Sequence, residues 1–390
     1  MTKVTSMDEL NAAKSVNKVR ITSIEAIALK IPLKYELKLG VGTYDSLTPV
    51  IVKMHTNVGV VGVSEIQSSD SYDRIGVEPY RGVLQVIEET FAPRLVGANP
   101  FEVEVIWKSF DELQGLYWVK AGLDCALYDI MGKMLQTPVH RILGGPLRME
   151  LPVEGIGYGI PMTDPKEVAQ IASDAVKGGY TQLELKVGDR NPRLDIERLR
   201  LTREAVGRDI SIKADFNKGG EISSVIATIR AMEEYGLDWV EQPLDYWNVT
   251  GLARIRQAIH TPLVVDEAVN TPQDMYAVAA AGAADAIHLK PTVKCGLTGA
   301  RRIAAIAEAA GIAIIPGTLC PTGVGLGIVH SFAASCRYIA RGIHGSPQDL
   351  LVDDIVTKPI LPGSATVTFS DEPGLGYDLD PNKVEKYRIK

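Results

Sequence analysis

The sequence predicts an α/β protein: a closed eight-stranded parallel barrel preceded by a smaller α+β cap. Three observations predict it. After about Leu151, short apolar strands alternate with helical segments at near-constant spacing. The first 150 residues instead run strands first and helices afterwards. Finally, five successive barrel strands end in a charged residue, at the strand ends where barrel enzymes keep their chemistry.

The bulk composition agrees with such a protein. The 390 residues are 46% hydrophobic and 23% charged, enough for one large domain or two ordinary ones. A net charge of −7 argues against nucleic acid as a partner, because that binding needs a positive surface. No apolar run approaches the roughly 20 residues that span a bilayer, so no membrane partner is expected. The opening "MTKVTSMDELNAAKSVNK" has no apolar core of a signal peptide and reads as a flexible arm over residues 1–18 of a cytoplasmic protein. Cys125, Cys295, Cys320 and Cys336 follow no metal-binding spacing and read as reduced, mostly buried thiols. The "NVT" at Asn248–Thr250 reads as a helix cap rather than a glycosylation site.

The cap is expected over residues 19–150. "VRITSIEAIALKIPL" and "PVIVKMHTNVGVVGVSEI" carry the β-branched residues and glycine turn of strands. Between them Lys34–Leu47, polar and glycine-rich, reads as a mobile loop. "YRGVLQVIEETFAPRLVG", "FEVEVIWKSFDELQG" and "VKAGLDCALYDIMGKMLQT" repeat apolar residues every three or four positions and read as helices.

The barrel is expected over residues 151–358. Its strands are "LPVEGIGYG", "TQLELKVG", "DISIKADFN", "LDWVEQPL", "PLVVDEAV", "AIHLKPT", "IAIIPGT" and a weaker "YIARGIHG". A helix follows each of the first seven, which calls for parallel pairing with right-handed crossovers. No long reversal connection marks the switch point of an open sheet, so the sheet closes. The turn-rich segment 359–390 is expected to return to the cap.

The charged strand ends are Lys186, Asp215, Glu241, Asp266 and Lys290, separated by 29, 26, 25 and 24 residues, each about one βα unit. Lys213 and Asn217 share the face of Asp215, as His288 and Thr292 share that of Lys290. Like charges raise one another's pKa, so converging acids need a counter-charge. A hard divalent cation with oxygen ligands, Mg²⁺, supplies it through Asp215, Glu241 and Asp266. Strands two and six of eight lie opposite one another, which places Lys186 and Lys290 on two sides of one cavity. A lysine beside a cation has its pKa lowered and becomes a usable base. A small-molecule carboxylate held between the lysines could lose its α-proton to one and regain it from the other. Lys294, four residues past Lys290, is expected in the loop.

These residues resemble the enolase superfamily and, within the mandelate racemase/muconate lactonizing enzyme family, its muconate-lactonizing-enzyme-like subgroup. "GLDCALYDIMGKMLQTPVHRILGG" is similar to that family's cap-to-barrel helix, and "ADFN", "VEQPL" and "VVDEA" to its metal-ligand strands. The resemblance spans nearly the whole chain. It implies a modified TIM barrel, (β/α)7β, with an α+β capping domain and a Mg²⁺-stabilised enolate. Asp215, Glu241 and Asp266 match the metal ligands, and Lys186 and Lys290 the acid/base pair. It also implies that Glu267 bonds the strand-six lysine and that Lys34–Leu47 is a specificity lid whose Lys38 and Tyr44 meet substrate. Asn217 and Thr318 are further candidates for substrate contact or support. Family members often form dimers or octamers, so the resemblance implies a homo-oligomer, dimer to octamer.

Two departures qualify the resemblance. The subgroup's Lys-x-Lys is Glu184-Leu185-Lys186 here, so Glu184 either contacts substrate or holds Lys186. The glutamate that muconate enzymes carry after strand seven is replaced in "GTLCPTG" by Pro321. The following "TGVGLG" reads either as an anion cradle at a helix start or as a close-packing device. Mandelate-racemase chemistry needs a histidine at the strand-seven end, and His330 lies well inside the next helix. The expected activity is a Mg²⁺-dependent racemase, epimerase or cycloisomerase on an amino-acid-like or small organic acid. A dehydratase of a hydroxy acid or hydroxyproline-type substrate uses the same enolate. A non-catalytic carboxylate-binding relative is the rival from another class.

Overall fold

The structure is a computed structural model. It describes residues 16–39, 42–70, 78–155, 159–294, 296–345, 349–360 and 363–390, with the backbone alone at residues 37–39 and 42–43. The expected N-terminal arm therefore lies outside the described residues up to residue 15.

In the cap, β1 (Ile21–Ala28) is followed by β2 (Ile31–Leu39), β3 (Gly42–Leu47), β4 (Val50–Thr56) and β5 (Val61–Ile66). β1, β4 and β5 form an antiparallel sheet in the order β1-β4-β5. β2 and β3 pair with each other, Leu37 opposite Tyr44 and Lys38 opposite Thr43. The segment expected as a loop is thus a hairpin. Its "KYELKL" alternates apolar and polar residues, a strand period that the neighbouring glycines obscure.

The helical half begins with α1 (Tyr80–Val86), passes through a π-helical turn (Ile87–Phe91) into α2 (Ala92–Leu95), and continues with α3 (Val103–Asp111), α4 (Tyr117–Met134) and α5 (Val139–Ile142). The core between sheet and helices includes Val52, Met54, Phe91, Trp107, Phe110 and Leu123. Phe91 and Phe110 meet edge to face with centroids 5.2 Å apart. α4 is buried on every side from Trp118 to Gly132, the signature of a helix enclosed by protein. It presses so closely on β5 that a Cβ at Gly122 would lie 2.2 Å from Ile66 Cγ1.

The barrel follows as β6 (Glu150–Glu154), α6 (Pro165–Lys177), β7 (Gln182–Lys186), α7 (Pro192–Val206), β8 (Ser211–Asp215), α8 (Ile222–Glu233), β9 (Trp239–Glu241), α9 (Val249–Ala258), β10 (Leu263–Val265), α10 (Pro272–Ala281), β11 (Ala286–Leu289), α11 (Gly296–Ala309), β12 (Ala313–Pro316), α12 (Gly323–Ser335) and β13 (Ile343–His344). Side-chain caps start the helices. Asp164, Asn191 and Thr322 accept from backbone N–H groups of α6, α7 and α12. Asn248 Oδ1 accepts from Gly251 N at 3.0 Å, so the "NVT" stretch is a cap.

β7 to β12 form one parallel sheet in sequence order. β13 pairs in parallel with β6, His344 opposite Glu154. Bridges at Ile160–Leu185 and Ile314–Ile339 join this pair to β7 and β12 and close the ring. The tail lays β14 (Thr366–Thr368) antiparallel on the outside of β6. It then runs through α13 (Pro381–Tyr387) to the cap, where Ile389 N donates to Ala28 O at 2.9 Å.

The ring's interior is divided. One half is apolar, with Val264, Ala286, Ala313 and Ile315 packed together. The other half holds Glu154, Glu184, Lys213, Arg341 and His344, all buried. No helix among the described residues is long and apolar enough to cross a membrane. Cys125 and Cys336 are buried free thiols, Cys320 is buried, and Cys295 lies outside the described residues.

Candidate active site

Ladder register brings the charged strand ends together. Lys186 is paired with Asp215 across β7 and β8, and Asp215 with Glu241 across β8 and β9, so these three stand at one level. Glu241 is paired with Val264, which sets Asp266 one step higher on the same face of β10. Lys290 follows β11, four strands round the ring from β7 and therefore opposite it.

All five side chains are buried and ion-paired. Lys186 Nζ lies 2.7 Å from Asp215 Oδ2, and Lys290 Nζ 2.5 Å from Asp266 Oδ2. Glu241 is held by Lys213 and by His288 Nδ1 at 2.8 Å. Lys294, expected in the loop, is buried; its Nζ donates to Asp266 Oδ1 at 2.9 Å and to His288 O at 3.2 Å. The chain turns back after β11 and aims that side chain into the ring, which a four-residue offset does not reveal.

Acids outnumber lysines here. Glu184, Asp215, Glu241, Asp266 and Glu267 face Lys186, Lys213, Lys290 and Lys294. Burial pushes Asp215 up to about 8, against the pull of Lys186 and with the added push of Glu241 and Glu184. Burial would lower Lys186, but Asp215, Glu184 and Glu241 outweigh it and hold this lysine above its ordinary value. The same competition, led by Asp266, raises Lys290. The lowered lysine pKa expected from the sequence requires the cation's charge, which these acids by themselves do not supply.

Ligand atoms cluster around Glu241. Among the described residues, Glu184, Asp215 and Glu241 offer oxygens within 4.8 Å of one another, as do Glu241, Asp266 and His288 with its ring nitrogen. Glu241 is common to both groups, and the outer acids Asp215 and Asp266 are each drawn to a lysine. The donor chemistry fits a hard divalent ion: three buried carboxylates on adjacent strands whose excess charge is only partly neutralised.

The supporting residues divide clearly. Asn217 Nδ2 donates to Asp215 Oδ2 at 2.7 Å, so it serves the carboxylate. Thr318 Oγ1 donates to His344 O at 3.2 Å and ties strand seven to strand eight. Glu267 does not bond Lys290: that ammonium goes to Asp266, and Glu267 Oε2 has no hydrogen-bond partner. Burial and the adjacent Asp266 push Glu267 up to about 7. Tyr44 packs against the apolar cluster that includes Cys320 and Leu350. Lys38 lies on β2, and its side chain is outside the described residues.

Glu184 is fully buried and meets three nitrogen groups: Lys186, Lys213 Nζ at 2.8 Å and His344 Nε2 at 2.8 Å. Its contact with Lys186 is the one that a holding role would use. Below it, Lys213 reaches Glu154 at 3.2 Å, and Arg341 closes on Glu154 at 2.8 Å. His344, Arg341 and Glu154 are not legible as site residues in the sequence, because their partners come together only in the closed ring.

Backbone strain concentrates at the strand ends. Asn217 and Lys218 after β8, Gln242 after β9 and Cys320 after β12 all have positive φ. Gln242 Oε1 accepts from Asp266 N at 2.8 Å and shapes the end of β10. At the end of β12, a Cβ on Gly317 would lie 1.7 Å from His288 Nε2, so only glycine leaves room for that ring.

The start of α12 is no anion cradle for a ligand. Glu65 of the cap accepts from Thr322 N and Gly325 N, and Asp354 accepts from Gly323 N at 3.0 Å. The chain's own carboxylates fill the position the glycines suggested.

A capped parallel barrel with acids on strands three to five and lysines on strands two and six defines an enolase-type protein. The chain belongs to the mandelate racemase/muconate lactonizing enzyme family of the enolase superfamily. Residues 21–144 match that family's N-terminal domain and residues 167–383 the enolase C-terminal domain-like family. It is 29% identical to the N-succinyl-L-Arg/Lys racemase of Bacillus cereus over 95% of this chain and 98% of that protein. With the L-Ala-D/L-Glu epimerase of Bacillus subtilis it shares 31% identity over 92% of this chain and 96% of the relative. Muconate cycloisomerase 1 of Pseudomonas putida is 28% identical over 95% and 98%. Among solved structures, the Bacillus cereus N-succinyl Arg/Lys racemase superposes with a TM-score of 0.88 at 28% identity, covering 95% of this chain and 98% of that one. A dipeptide epimerase from Enterococcus faecalis, complexed with Mg and L-Leu-L-Tyr, gives 0.85 at 30% identity over 92% and 99%.

Proposed function

We propose that this protein is a Mg²⁺-dependent racemase or epimerase acting at the α-carbon of an amino-acid derivative with a free carboxylate. The observation that carries the reading is the placement of Lys186 and Lys290 at strand ends on opposite sides of the ring, with Asp215, Glu241 and Asp266 between them. A proton removed on one face and returned on the other inverts the centre. Racemases and epimerases among the relatives support this direction.

In this reading Asp215, Glu241 and Asp266 hold magnesium, as the Mg in the dipeptide epimerase complex supports. Bound there, magnesium supplies positive charge for the carboxylate oxygens that gain charge when the α-proton leaves. Lys186 and Lys290 exchange the proton at their Nζ atoms, one as base and the other as acid. Asn217 and Lys213 keep Asp215 and Glu241 oriented, and Glu184 keeps Lys186 in place. Burial of the whole set excludes water from the proton path. The buried free thiols of Cys125 and Cys336 support a cytoplasmic setting, and assembly as a homo-oligomer completes the proposal.

Proton exchange in D₂O with Mg²⁺ tests the reading on N-acyl amino acids, dipeptides, proline betaines and sugar acids. Deuterium at Cα with formation of the opposite configuration is the expected result. An unsaturated or keto product would make the protein a dehydratase, and ring closure would make it a cycloisomerase. No exchange on any acid would leave a carboxylate-binding relative without catalysis.

A further inference from the structure

Strand eight is the shortest of the barrel, yet its one polar residue stands between the two ends of the site. His344 is buried, and its Nε2 lies 2.8 Å from Glu184 Oε2. Its ring meets His288 edge-on, with centroids 4.4 Å apart and planes at 70°. His288 Nδ1 in turn lies 2.8 Å from Glu241 Oε1. Two imidazoles therefore join the carboxylate that grips Lys186 to the carboxylate at the centre of the ligand cluster. Barrel interiors are ordinarily filled with apolar side chains, as on the other side of this one. A buried imidazole costs stability unless it is well partnered, and here the partners belong to both halves of the site.

The register gives this contact a defined position. His344 is paired with Glu154 across β13 and β6, and its carbonyl accepts from Thr318. Strands six and twelve of the chain thus hold its backbone from both sides, which leaves the imidazole little freedom between Glu184 and His288. An apolar residue at 344 would remove one of the three nitrogen partners of Glu184 and the edge contact of His288. Both losses act on the site through other side chains.

We propose that His344 is a positioning residue that sets the Lys186 end of the site against the Glu241 end, through Glu184 on one side and His288 on the other. The proposal rests on the functional reading above for the roles of Lys186 and Glu241. Groups that orient metal ligands from behind typically change affinity or activity by about 10–100-fold when removed. His344→Leu is expected to weaken Mn²⁺ binding by about that factor, and to lower kcat for Cα exchange with little change in KM. His344→Gln, whose amide N–H reaches near the former Nε2, should recover much of the loss.

Mn²⁺ titration followed by electron paramagnetic resonance, with circular dichroism to confirm folding, is the deciding measurement. Native Mn²⁺ affinity in folded His344→Leu overturns the inference. If that variant does not fold, Glu184→Gln, His344→Asn, whose shorter amide does not reach Glu184, and their double variant decide instead: less than additive losses in Mn²⁺ affinity support it, and strict additivity overturns it. Should the unaltered protein exchange no Cα proton, the functional reading fails, while the Mn²⁺ data still judge His344.

Discussion

The carboxylate of Glu65, on the last strand of the cap, accepts from the hydroxyl of Thr322 at 2.6 Å and from its backbone N–H at 3.0 Å. One fully buried side chain thereby fastens the cap to the first turn of α12. Asp124 does the same for α11, accepting from Thr298 N at 3.0 Å and from Trp107 Nε1 at 2.6 Å. The cap is held on the barrel by acids that cap barrel helices, an arrangement that uses the positive end of each helix.

This fastening predicts a pH dependence of stability. Burial pushes Glu65 up to about 7, above an unfolded value of 4.5. The folded state therefore keeps a proton between these values that the unfolded chain releases, and stability falls as pH rises through that window. A shift of that size corresponds to about 3 kcal/mol. Glu65→Gln removes the titration, so the wild-type protein should lose about that much stability relative to the variant between pH 4.5 and pH above 7. Urea unfolding of both proteins from pH 4 to 8.5 measures it; parallel curves would refute it.

Lys186 compensates two buried acids, Asp215 and Glu184. Lys186→Met should destabilise the metal-free protein by about 3–5 kcal/mol, the cost of leaving buried charge unpaired. Added Mg²⁺ should restore part of that loss, because it supplies charge to the same acids. Cα exchange should fall by about 10²–10⁴-fold. Chemical denaturation with and without Mg²⁺ separates the two effects.

Glu241 is the residue shared by both groups of ligand atoms. Mg²⁺ at a hundred times its dissociation constant should stabilise the unaltered protein by about 2.7 kcal/mol. Glu241→Gln should abolish that gain. A variant whose melting temperature still rises with Mg²⁺ would place the ion elsewhere.

Gly317 has no space for a side chain beside His288. Gly317→Ala should cost about 1–3 kcal/mol from overpacking and should push the imidazole off Glu241. Calorimetric Mg²⁺ titration is the check: full affinity in a folded variant would show that His288 does not orient Glu241.

Much of this site was legible from spacing. Five charges about one βα unit apart had to meet at one end of a closed barrel, because parallel strands present equivalent positions at the same rim. The hairpin over β2 and β3 was missed because glycines and charges masked a period-two pattern. Lys294 lies in the loop as expected, but its inward aim was not legible because a loop's return path has no periodicity to read. The glycines before α12 signalled a helix start correctly, but only Glu65 and Asp354, far away in sequence, show what fills it.

Local pattern by itself determined the strand–helix rhythm, the strand-end acids and lysines and the Asn248 helix cap, since these depend on neighbours a few residues away. The tertiary structure decided which charges pair. Glu184 with Lys213 and His344, Glu154 with Arg341, and Glu65 with Thr322 join residues brought together only when the ring closes. Electrostatic partnership depends on distance in space and on burial, and neither is written in the order of residues along a chain.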